Sequence, residues 1–147
     1  MVPKFRAWCG NKMWRVMCIE YPDDHTQFYA ALSLDGRENL IATLNIEHNP
    51  QNLPVATIMA GTGRRGKAGI EIFESDIVRW KPEWIRGEPA VGIVAWDVKS
   101  CGFTIEQRTF PRGQSKMWDE ESGIPKYDWN ELEVVGNLYE NPECAGG

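Results

Sequence analysis

Histidine, paired cysteine and long apolar runs are what this sequence has least of. It holds two His and four Cys in 147 residues. Cys9, Cys18, Cys101 and Cys144 form no CxxC pair and match no zinc-site spacing. They read as reduced thiols in a cytosolic setting, first of all as small hydrophobes. No apolar run approaches the roughly 18 residues of a spanning helix, which excludes a helical membrane protein. Met1 to Trp8 lacks the apolar centre of a secretion signal and already reads as structure. Excess positive charge is missing too: a formal charge of -5 and a pI near 5.1 argue against a basic nucleic-acid binder as a whole, though not against a local basic patch. Helical periodicity is equally scarce, since no segment beyond two turns repeats its apolar residues every 3.6 positions.

What the chain does contain is a core. Apolar residues make up 42% and charged residues 25%, ordinary values for a globular protein, and seven Trp add large units of buried area. The length suits one domain or two small subdomains. Short strand-like runs follow one another between turn residues. Phe5 and Ala7, then Met13, Trp14 and Val16, flank Cys9-Gly10-Asn11-Lys12 and predict an opening hairpin. Phe28 to Leu34 runs into Asp35-Gly36, a strong turn dipeptide, with Leu40 to Leu44 as the partner strand. Glu47 to Pro54 reads as a surface connection or a short turn of helix, and Val55 to Met59 as a further strand.

The most distinctive block comes next. Gly61-Thr62-Gly63-Arg64-Arg65-Gly66-Lys67 is a glycine-rich basic loop that leads into Ile70-Glu71-Ile72-Phe73-Glu74-Ser75-Asp76-Ile77-Val78. Flexibility peaks there while both flanks are apolar, which places an organisational boundary around Gly63 to Gly69. Beyond it, Val91 to Trp96 turns through Asp97 to Gly102 into Phe103-Thr104-Ile105, a hairpin with one wet face. A long polar excursion, 108–130, precedes a last strand from Leu132 to Tyr139. The pattern predicts a mainly β fold, with the short strands after residue 70 suited to a small barrel.

Three stretches taken together resemble the YopX-like family of phage and prophage proteins: Lys4-Phe5-Arg6-Ala7-Trp8, the block from Met59 to Val78, and Leu132 to Glu143. Gly92-Ile93-Val94-Ala95-Trp96-Asp97 with Gly102-Phe103 is similar to that family's central hairpin. The chain departs from the family pattern at Gly61, where Tyr is usual, and at Ser75, where Gly is usual. The resemblance implies a smaller β-rich subdomain over 1–65, an SH3-like β-barrel over 66–147 and a bacterial cytoplasm. It implies no reaction and no catalytic residues.

The residues themselves converge on no catalytic set and no cofactor motif. Arg64, Arg65 and Lys67 can face phosphates alongside flexible loop amides, or can lie on a solvated turn. The Walker A spacing fails, because Lys67 is followed by Ala68 and a strand comes next. Glu74 and Asp76 could begin a metal or acid–base site, but a turn in which Asp76 bonds nearby amides is the favoured reading. His25 and His48 have no neighbouring nucleophile motif. Trp96 is expected in the core by its strand position, whereas Trp84 and Trp118 are the candidates for exposed aromatic contacts. The expectation is a non-enzymatic protein that binds a host or phage protein or a nucleic acid, with self-association of copies. The alternative is a small metal-dependent hydrolase or nuclease.

Overall fold

A computed structural model describes residues 4–20, 29–44, 47, 49, 51–80, 89–109 and 129–145, with backbone alone at 107–109 and 145. The chain divides into two compact units, Met1–Ala60 and Gly61–Gly147. Both are built from antiparallel strands, and among the described residues the only helical segments are three short 3-10 turns.

In the first unit, β1 (Phe5–Cys9) and β2 (Lys12–Glu20) pair as the expected hairpin. Gly10 and Asn11 take φ of 59° and 60°, the two-residue turn whose twist matches that of the strands it joins. β3 (Tyr29–Leu34) and β4 (Glu38–Thr43) form the second hairpin, turning through Asp35 and Gly36, both with positive φ. The strand order is β4-β3-β2-β1-β5, where β5 is Thr57–Arg65. One face of this sheet gathers Ala7, Cys9, Trp14, Ala30, Leu32, Ala42 and Ala56 into a core. The Trp14 indole N–H donates to the Cys9 carbonyl at 2.8 Å, so its one polar atom is satisfied inside that core. Between β4 and β5 the Asn49 side chain both donates to the Leu53 carbonyl and accepts from the Leu53 amide, which makes a local turn. The chain then returns along β4, with Thr43 donating to Pro54 and accepting from Ala56.

β5 crosses from one unit to the other. Its first residues pair with β1, and its later ones, Gly61 and Arg65, pair with Phe73 and Glu71 of β6 (Glu71–Phe73). The loop expected from Gly61 onward is therefore corrected: strand continues to Arg65. Gly63, at φ 76°, absorbs an irregularity in the register, and the Thr62 hydroxyl bonds to the Ile72 carbonyl at 2.8 Å, holding the glycine-rich backbone in the ladder.

The second unit's main sheet has the order β10-β7-β8-β9, from β7 (Asp76–Trp80), β8 (Ala90–Asp97), β9 (Gly102–Thr109) and β10 (Glu133–Asn137). It buries apolar groups on both faces. Ile72, Val78, Trp80, Ala90, Val94, Ile105 and Leu132 form one cluster, and Ile77 with Ile93 centres another. Gly92 is required on the first of these faces, because a Cβ there would overlap Ile105 and approach Cη2 of Trp80 at 3.3 Å. Among the described residues this sheet is open, with β10 and β9 at its edges.

Candidate functional site

The basic block is held by backbone bonds on every side. β5 ends at Arg65, and a 3-10 turn, Lys67–Gly69, reverses the chain into β6. The Gly66 amide donates to Ile70 at 2.7 Å, the Lys67 amide to Leu132 at 2.8 Å, and the Gly69 amide to Gly66 at 3.2 Å. The Arg64 amide donates to the Thr62 hydroxyl at 3.1 Å. These four amides are engaged within the protein and are not offered to a phosphate. What remains outward is side-chain charge: Arg64, Arg65 and Lys67 are all exposed. The Arg65 guanidinium donates to the Gly69 carbonyl at 2.9 Å, which fixes its direction while its other donors face solvent. The structure thus brings the three predicted cations to one end of β5. Trp84 and Trp118, and the two histidines, lie outside the described residues.

Thr62 and Leu132 support this turn without having stood out in the sequence. Thr62 resembles any strand threonine, and Leu132 acts through its carbonyl, an atom that every residue carries.

The acidic pair has a structural job. Asp76 is 1% exposed, and its carboxylate accepts the Phe73 amide at 2.8 Å across the Glu74-Ser75 turn. Asp76 bonding a nearby amide is the arrangement favoured from the sequence. Among the described residues no three His, Cys, Asp or Glu side chains gather to hold a metal ion.

Trp96 corrects the sequence expectation, being 49% exposed rather than in the core. It lies towards the turn end of the β8–β9 hairpin, where strand periodicity continues but cover from the rest of the unit does not. Its ring packs edge-on against Phe103, the cross-strand partner, with centroids 5.1 Å apart. The adjoining turn is held by Asp97, whose carboxylate accepts from the Ser100 hydroxyl at 2.7 Å and amide at 3.0 Å. Those two bonds hold its carboxyl below the ordinary aspartate value.

The family model described as YopX protein matches residues 4–144, nearly the whole chain. The chain belongs to the YopX family. Comparison with curated proteins finds no match. Among solved structures, protein EF1440 from Enterococcus faecalis is similar over 97% of each chain, with 24% identity and a TM-score of 0.52. That likeness concerns the fold alone. No helix among the described residues is long and apolar enough to cross a membrane.

Proposed function

We propose that this YopX-family chain is a non-enzymatic, phage- or prophage-encoded accessory protein of the bacterial cytoplasm that binds a host or phage partner. The observation that carries the reading is the end of β5, where Arg64, Arg65 and Lys67 stand exposed on a backbone whose own amides are bonded. Pre-set cations lose less freedom on binding than cations on a mobile loop. Of the two partner classes, protein or nucleic acid, the three clustered positive charges favour nucleic acid through its phosphates. Trp84 and Trp118 belong to the same reading as candidate aromatic contacts. The antiparallel order β10-β7-β8-β9 supports reading residues 66–147 as an SH3-like barrel, with 1–65 as the β-rich part before it. The acidic-residue alternative is weaker, because Asp76 is buried under the Phe73 amide.

Fluorescence anisotropy of a labelled single-stranded oligonucleotide, titrated with the full chain at several salt concentrations, tests the proposal. Three neutralised phosphates give a slope of log K against log salt of about -2 to -3. The triple variant Arg64→Ala, Arg65→Ala, Lys67→Ala is expected to abolish binding while leaving the circular dichroism spectrum unchanged. Binding that ignores both salt and the triple variant would sink the reading, as would no binding at the lowest salt.

A further inference from the structure

The exposed indole of Trp96 lies on the sheet face that also anchors the basic turn. Along β8, Gly92, Val94 and Trp96 point to one side, the side on which Val94 packs with Ile105, Ile72 and Leu132. The Lys67 amide bonds to the carbonyl of that same Leu132. Leu132 precedes Glu133, which pairs with Arg79, and Trp80 pairs with Ala90, so the turn is anchored at the Ala90 end of β8. Trp96 stands towards the other end. Six residues of strand separate Ala90 from Trp96, about 20 Å at the rise of an extended chain. The carboxylates of the two hairpin strands, Asp97 and Glu106, alternate to the opposite side. Edge-on packing against Phe103 sets the Trp96 ring while 49% of the residue stays exposed, and a ring already set loses little freedom on contact.

From this placement we infer that the partner is a single-stranded nucleic acid, with one base stacked on Trp96 and phosphates further along the strand at Arg64, Arg65 and Lys67. The inference rests on the nucleic-acid reading of the basic end and adds what cations do not supply, a contact that requires an unpaired base. Phosphate contacts carry no sequence information and are made to single strands and duplexes alike. Stacking on a protein ring needs a base outside a duplex, and every base has a π-face to offer. The span agrees with such a ligand. At about 3.4 Å per nucleotide, 20 Å is roughly six nucleotides, within the range of about 4–16 that small β-barrel sites cover. Both contacts belong to the second unit, so one strand reaches them without involving the first.

Anisotropy titrations of the full chain with three labelled probes of equal length, about twelve nucleotides, test the inference. The probes are oligothymidylate, its duplex with oligoadenylate, and an abasic deoxyribose phosphate chain. The wild type is expected to bind oligothymidylate ~10-fold or more tightly than either of the others. Trp96→Leu fills the same place without a π-face. It is expected to weaken oligothymidylate binding by ~10-fold, leaving abasic binding and the salt slope unchanged because the ring carries no charge. Trp96→Phe is expected to keep most of the preference. Circular dichroism verifies that each variant is folded. Oligothymidylate binding that Trp96→Leu leaves unchanged overturns the inference, and so does an abasic chain or duplex bound as tightly by the wild type. In those cases loss of binding in the triple variant Arg64→Ala, Arg65→Ala, Lys67→Ala keeps the basic-end reading standing. No binding of any probe at the lowest salt removes that reading and this inference with it.

Discussion

Ser75 occupies a backbone conformation that suits glycine. Its φ is 72°, and it cannot relax: its amide donates to Val94 at 2.8 Å and its carbonyl accepts from Leu138 at 3.0 Å. A Cβ in the left-handed region costs roughly 1–2 kcal/mol, part of which glycine returns as greater freedom in the unfolded chain. Ser75→Gly is therefore expected to stabilise the second unit by about 0.5–1 kcal/mol. The check is a urea melt: the midpoint should rise at unchanged slope, and a fall would mean that the hydroxyl contributes more than the strain removes. Two buried indoles among the described residues show a related contrast. Trp14 donates to Cys9, whereas Nε1 of Trp80, in a residue 4% exposed, has no hydrogen-bond partner among the described residues.

At the scale of elements, the 3-10 turn Lys67–Gly69 depends on one close approach. A Cβ on Gly66 would overlap the Leu132 carbonyl, the acceptor for the Lys67 amide. Gly66→Ala must push that carbonyl away, breaking the bond and shifting Leu132, which is fully buried. The expected loss is about 1–3 kcal/mol by chemical denaturation. Gly102→Ala is the control, because its Cβ would meet nothing closer than the Ser100 carbonyl at 3.9 Å. An equal loss in both variants would refute the role given to Leu132. The same turn marks what could be read in advance. Hairpins announced by Gly10-Asn11, Asp35-Gly36 and Asp97 to Gly102 were legible, because turn chemistry is local and strand alternation repeats every two residues. The path of Gly61 to Arg65 was not. Glycines weaken a strand by themselves, and only pairing with β6 and the Thr62 bond to Ile72 keep them in one. Arg64, Arg65 and Lys67 were visible as a charge run, but the anchoring Leu132 carbonyl leaves no mark on side-chain patterns. The exposure of Trp96 was hidden for a similar reason, since periodicity names a face of the sheet and says nothing of where cover ends.

At the scale of the whole molecule, two units with separate cores allow separate opening, and the cysteines are placed to report it. Cys18, Cys101 and Cys144 are exposed, whereas Cys9 is buried in the first unit's core. A thiol reagent should therefore react with three cysteines quickly and with Cys9 only through opening of the first unit. Burial pushes the Cys9 thiol above its ordinary pKa, because the thiolate is disfavoured away from water. The native state thus holds the proton more tightly than the unfolded chain. Its contribution to stability is complete below the ordinary thiol value and is lost as pH rises from there through the raised one. Between roughly pH 8 and pH 10 the slow reaction, corrected for the reagent's own pH dependence with an unfolded control, should accelerate. The decisive comparison is Cys9→Ala, followed by urea denaturation of the first unit. That variant starts less stable, having lost a buried side chain, but its midpoint should fall less between the two pH values than that of the wild type. Identical slopes would place the alkaline loss elsewhere and remove Cys9 from the account.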